Sequence, residues 1–112
     1  MKQKTFTSAQ KKQLLKNGAN PGVDHIPVVK FFCPWGSETW LITELDPYDH
    51  NIAFGLCDLG MGCPELGSIY LPEMIAARGP FGLTVERDLH FTGEKPISIY
   101  AEEARESGRI AA

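Results

Sequence analysis

The run Thr39-Trp40-Leu41-Ile42-Thr43-Glu44-Leu45-Asp46-Pro47-Tyr48-Asp49-His50-Asn51-Ile52-Ala53-Phe54-Gly55-Leu56-Cys57-Asp58 decides the fold. Its two ends, Thr39 to Leu45 and Ile52 to Asp58, are rich in β-branched and aromatic residues and read as strands. In the first, Trp40, Ile42 and Glu44 are expected on one face and Leu41, Thr43 and Leu45 on the other. In the second, Ile52, Phe54 and Leu56 share a face. Ala53, Gly55 and Cys57 on the opposite face are small, which leaves room for a helix or ligand to lie close. The polar turn Asp46 to Asn51 between them is too short for a parallel crossover, so the pair is an antiparallel hairpin.

Working outward, Val28 to Phe32 reads as a strand before the hairpin, joined to it by the turn Cys33-Pro34-Trp35-Gly36-Ser37. The loop Leu59 to Pro64 leads to a fourth strand, Leu66 to Leu71. Pro72 suits the first turn of a short helix that Arg78-Gly79 closes. After a turn at Phe81-Gly82, Leu83 to Phe91 reads as a fifth strand. It has Leu83, Val85, Leu89 and Phe91 on one face, with Arg87 on that apolar side snorkelling or paired. Residues 7–17 form a first helix, with Thr7 and Gln10 at capping-box spacing and Asn17-Gly18 as its stop. Ser98 is placed to cap a last helix that ends at Gly108, with Glu102 and Glu103 near its positive end. The expected architecture is α+β. A curved, mainly antiparallel sheet of about five strands carries short helices at the N-terminus, between strands four and five, and at the C-terminus, gathered on one face or at one end.

A chain of 112 residues is most simply one domain. The reading divides it into a lysine-rich helical arm (1–22), a sheet body (23–91) and a C-terminal helix (92–112). Charge follows that division. Residues 1–30 carry Lys2, Lys4, Lys11, Lys12, Lys16 and Lys30 against Asp24 alone. From Phe31 to Ala77 there is no lysine or arginine, but there are Glu38, Glu44, Asp46, Asp49, Asp58, Glu65 and Glu73, with both tryptophans and all three cysteines. An acidic, aromatic-rich sheet favours proteins, cations or basic ligands over phosphate backbones. Three cysteines without paired spacing do not make a disulfide framework. The polar N-terminus and the lack of a long apolar run suggest neither a signal peptide nor a membrane span, and a cytoplasmic protein is expected.

Several chemistries can be weighed against plainer readings. Cys33, His50, Cys57 and Cys63 hold the atoms of a zinc site but lack the close ligand pairs that zinc sites bring, and no metal or other cofactor is expected. Asp46, Asp49 and Asp58 lack the calcium-loop pattern. Asp49 with His50, or Asp88 with His90, could orient a general base, but alternating acids and histidine are also the ordinary solvent face of a strand. No catalytic residue is assigned on these grounds. The glycines at Gly60 and Gly62 are not followed by a helix or by Lys-Ser/Thr, so phosphate fingerprints fail. The N-terminal lysines could touch nucleic acid, but no base-reading motif accompanies them. Trp35, following Pro34 in a turn, is either an interface anchor with Tyr48, Asp46 and Asp49 or a lid folded back over the core.

Five segments carry a resemblance: Pro27-Val28-Val29-Lys30, Thr39 to Pro47, Phe54-Gly55-Leu56-Cys57-Asp58-Leu59-Gly60, Pro64-Glu65-Leu66-Gly67, and Val85-Glu86-Arg87-Asp88-Leu89-His90-Phe91. In order and spacing they resemble a family of small proteins of unknown function encoded on bacterial conjugative plasmids and integrative mobile elements. Where that family tends to have Ser or Thr before the short helix, this chain has Leu71. The resemblance implies a bacterial cytoplasm and a mobile-element setting; it carries no activity and no catalytic residues.

The reading that results is a protein-binding accessory factor of a mobile element. Its expected partner is a host or mobile-element protein, and its expected contacts are Trp35, Asp46, Asp58, Glu65, Arg87 and Asp88. Asp46 before Pro47 is equally suited to opening a turn. The alternatives are a small hydrolase or nucleotide-modifying enzyme using a His/carboxylate pair, and an anti-defence inhibitor acting through its acidic surface.

Overall fold

The computed structural model describes residues 5–112; Lys2 and Lys4 of the expected arm lie outside the described residues. The chain runs α1 (Ser8–Gly18), β1 (Val29–Phe32), β2 (Thr39–Leu45), β3 (Ile52–Asp58), β4 (Glu65–Tyr70), α2 (Leu71–Ala76), β5 (Glu86–Arg87) and α3 (Ile97–Ser107). All pairings are antiparallel, and the strands lie in the order β4-β3-β2-β1-β5.

The central hairpin has the expected boundaries, and β3 has the expected faces, but β2 keeps its expected faces only as far as Ile42. A β-bulge between Ile42 and Glu44 sets two residues of β2 against one of β3. Ile42 pairs with Gly55 and Glu44 with Phe54, so Thr43 is the additional residue. Past it the alternation of β2 inverts, and Leu45 joins Ile42 on one face instead of Leu41 on the other. Two polar groups of the bulged residue have defined partners. The Thr43 hydroxyl donates to the Phe54 carbonyl (3.1 Å), and its own carbonyl accepts from the Asn17 side chain (2.9 Å).

The helices divide between the two faces of the sheet; of the two arrangements expected, on one face or at one end, the first is corrected. On one face Leu14 of α1 and Leu71 and Met74 of α2 close over Val29, Phe31, Ile42, Leu45, Ala53 and Ile69. On the other, Ile97, Tyr100, Ala101 and Ala104 of α3, with Ile110 behind them, cover Leu41 and Leu56. Both faces of the central strands are therefore apolar, which is why β2 reads as near-continuous hydrophobic sequence.

Helix α1 has its capping box: the Thr7 hydroxyl accepts from the Gln10 amide and the Gln10 side chain accepts from the Thr7 amide. Its end is shaped by packing. Gly18 lies inside the helix with its Cα against the sheet, where an added Cβ would come within 1.8 Å of the Leu45 carbonyl oxygen. Helix α2 starts without a side-chain cap, and the Leu71 amide donates to the Asn51 carbonyl (2.8 Å), which satisfies one orphan donor from the hairpin turn. Helix α3 is not capped by Ser98, which lies within it. Asp24, distant in sequence, accepts from the Ser98 amide (3.1 Å) and from its hydroxyl. Glu102 and Glu103 fall mid-helix, and Glu103 pairs with Lys95.

The fifth strand is much shorter than the sequence suggests. Val85 enters the core, Leu89 is exposed, and Phe91 packs on the opposite face of the sheet. The alternation is broken by Asp88, whose carboxylate accepts from the His90 amide (2.8 Å) and turns the chain.

Candidate functional site

One end of the sheet, on the face shared with α1 and α2, opens into a cleft of about 560 Å³. Trp35 from the β1–β2 turn and Trp40 of β2 contribute indoles, Glu38 and Glu73 carboxylates, and Cys33 and Cys57 thiols; Met74 and Val85 are among its apolar walls. Among the described residues, no lysine or arginine lines it. Local sequence explains the placement. The Cys33–Ser37 turn is closed by the Gly36 amide on the Cys33 carbonyl (3.2 Å) and by the Cys33 amide on the Glu38 carbonyl (3.0 Å). It returns Trp35 over the core, against which the ring is half-buried. Gly79 lies on that ring: a Cβ there would sit 2.2 Å from the indole.

The loop that Gly79 opens carries the one non-glycine residue of positive φ among the described residues. The Gly79 amide donates to the Leu83 carbonyl (2.8 Å) and the Leu83 amide to the Pro80 carbonyl (3.1 Å), closing a tight hairpin. At its tip Phe81 has φ 58°, in the left-handed region, and its side chain is fully exposed. For a bulky side chain that conformation is an outlier. The Gly79–Trp35 contact fixes this hairpin beside the cleft.

The thiols of the cleft are held protonated. Burial, then a hydrogen bond to Glu38, raises Cys33; burial pushes Cys57 up to about 11. A thiol in that state is a poor nucleophile and a poor metal ligand. Among the described residues no group of three or more His, Cys, Asp and Glu side chains could hold a metal ion.

The residues singled out by sequence do not form one edge. Trp35 lies at one end of β2, whereas Asp46 and Tyr48 follow its other end, about 20 Å away at some 3.3 Å per residue. Asp46 organises the turn there, accepting from the Tyr48 (2.7 Å) and Asp49 (3.2 Å) amides. Nearby Glu44 is raised above the usual carboxylate range by burial, partly opposed by His25. Asp58 is 2% exposed and accepts from the Gly60 and Ile110 amides (both 2.9 Å), tying the C-terminal segment to β3. That burial removes it from any contact surface. Asp88 holds its turn and pairs with Lys30 at 3.5 Å. Glu65 is exposed and stands opposite Cys57 in register, on the cleft face. Arg87 is half-buried and aligns across the strands with Phe31 and Trp40. The structure thus places Trp35, Glu65 and Arg87 on the cleft face and disperses the other three.

Sequence reading missed Trp40, Glu38 and Glu73 as cleft residues because nothing local shows which face they share. It missed Phe81 because Pro80-Phe81-Gly82 reads only as a turn. The only legible signal was the coincidence of both tryptophans with a stretch free of basic residues.

A second cavity, of about 670 Å³, lies between α1 and the segments 23–28 and 91–93. Three of its polar residues already have structural tasks. Asp24 caps α3, the His25 ring meets the Asn20 carbonyl (2.8 Å), and Asn17 holds the bulge.

A family defined only as "Protein of unknown function (DUF2958)" matches residues 5–111. The chain belongs to this family. Its DUF2958 domain includes every element described above, with the Trp35–Trp40 cleft and the Phe81 hairpin inside it. No curated protein and no solved structure matches the chain. Among the described residues, no helix is long and apolar enough to cross a membrane.

Proposed function

We propose that this DUF2958 protein is a protein-binding module, an accessory factor of a mobile genetic element. It docks a host or element-encoded partner by seating a lysine or arginine side chain between Trp35 and Trp40, with Phe81 as a second anchor. The observation that carries this reading is the composition of the cleft lining: two indoles and two carboxylates, with no basic residue among the described ones. Indole faces attract cations, and carboxylates at the rim complete the charge. Lysine is the more strongly hydrated cation, and arginine stacks better on a ring, so arginine is the favoured guest. Phe81 adds an exposed aromatic of the kind that dominates interface energetics. The hydrolase reading finds less support. Asp49 and Asp88 spend a carboxylate oxygen on the Asn51 and His90 amides, and His50 and His90 lie exposed, away from the cleft.

The test is tryptophan fluorescence of the protein titrated with arginine-containing peptides and with matched glutamine peptides. The arginine peptides are expected to change the emission, the effect weakening in high salt and by tenfold or more in the E38Q/E73Q variant. Equal response to both peptide sets, or no change in the variant, would sink the reading.

A further inference from the structure

The outer edge of β4 is open. Among the described residues no strand lies beyond it, since β4 ends the sheet order. Natural sheets protect such edges with lysine, proline, bulges or brevity. Glu65-Leu66-Gly67-Ser68-Ile69-Tyr70 has six paired positions in unbroken register with β3 and, apart from Glu65 at its start, no charge. The opposite edge is treated differently: β5 has two residues, one acidic and one basic.

Which groups face outward follows from the ladder. The Leu71 amide donates to Asn51, continuing the register that pairs Tyr70 with Ile52. Antiparallel hydrogen bonds alternate, so Glu65, Gly67 and Ile69 direct their backbone groups at β3. Leu66, Ser68 and Tyr70 direct theirs away from the sheet. The side chains of these same residues share the α3 face, where Leu66 is 36% and Tyr70 51% exposed.

We infer that β4 pairs antiparallel with β4 of a second copy of this chain, about a twofold axis at Ser68. Leu66 then lies opposite the partner's Tyr70, and Ser68 opposite the partner's Ser68. This register fits the edge in both its backbone and its side chains. Each of these pairs consists of outward-facing residues, so each exchanges both backbone hydrogen bonds. Facing residues share one face of the joined sheet, as the twofold requires. The half-exposed Leu66 and Tyr70 become an aliphatic–aromatic cross-strand pair, and neither copy's Glu65 faces an acid. Moving the axis to Gly67 would set Leu66 against Ser68 and bring Pro64, which has no amide to donate, opposite Tyr70. The second copy is thus the occupant whose pattern the edge itself specifies; Ser68, Ile69 and Tyr70 also line the cleft, so the pairing borders it, though it does not rest on the guest proposed there.

Sedimentation across concentrations up to the near-millimolar range tests it. The wild-type chain is expected to reach twice its 12.4 kDa mass and stop there, because pairing consumes the edge. Ser68→Pro removes an outward donor but no β3 bond and is expected to stay monomeric with an unchanged circular dichroism spectrum. Leu66→Lys places a charge on the edge and is expected to do the same; it carries the test should the proline variant fail to fold. A wild type monomeric throughout, assemblies heavier than a dimer, or a dimer that survives both substitutions would overturn the inference.

Discussion

The side-chain amide of Asn17, in the last turn of α1, donates to the main-chain carbonyl of Thr43, the bulged residue of β2, at 2.9 Å. Gln13 donates in turn to the Asn17 side-chain oxygen at 2.7 Å. A helix and an irregularity in a strand are thus joined by one buried amide, and the bulge that inverts the faces of β2 is also the point where α1 is held.

Asn17→Leu keeps approximate volume but leaves the Thr43 carbonyl buried without a donor. The expected loss is about 1–3 kcal/mol, the range for orphaning a buried polar group. Urea denaturation with an unchanged slope would confirm it; a midpoint equal to that of wild type would contradict it.

Gly18→Ala sets two effects against each other. Alanine favours the helix by about 1 kcal/mol over glycine. The added Cβ, however, would lie 1.8 Å from the Leu45 carbonyl oxygen, a backbone atom that cannot swing aside. Overpacking at such a contact costs about 1–3 kcal/mol and is expected to win, giving a lower melting temperature. A stabilised variant would mean that α1 rides further from the sheet.

Phe81→Asn separates strain from binding. Phe81 buries nothing, and its φ of 58° is one that asparagine tolerates. Stability is expected to rise by about 0.5–1 kcal/mol in thermal or denaturant unfolding, while the response to arginine peptides falls. Loss of stability instead would show that the ring packs.

The raised Cys57 thiol gives a signed pH dependence. Its folded value of about 11 exceeds the ordinary 9.0, so the folded state retains a proton that the unfolded state releases between these values. Its contribution to stability is complete below pH 9 and is lost as the pH rises towards 11. Cys57→Ala is expected to flatten that fall. At neutral pH, a thiol reagent read by mass spectrometry is expected to modify exposed Cys63 well before Cys57 or Cys33.

Where sequence reading of the fold worked, it rested on local physics. The hairpin boundaries follow from strand composition and a short polar turn, and the cap of α1 from Thr7 and Gln10. It failed where a distant residue decides. Thr43 gives no local sign that it is a bulge, because its carbonyl partner is twenty-six residues away. Ser98 has the chemistry of a cap, but Asp24 takes that part from across the fold. Asp58 looks like a surface acid and is instead the anchor of the C-terminal segment. Of the contacts named in advance, Trp35 lines the cleft; its neighbours there come from β2, β3, β4, α2 and the segment before β5.

The division of helices between the two faces has a practical corollary. Ile110 and the Lys30–Ala112 contact hold the chain's end on the α3 side, whereas the cleft opens on the side of α1 and α2. A molecule anchored to a sensor chip or fused to a reporter through its C-terminus therefore turns the tryptophans toward solution. Attachment through the α1 end crowds the very side that a guest must reach.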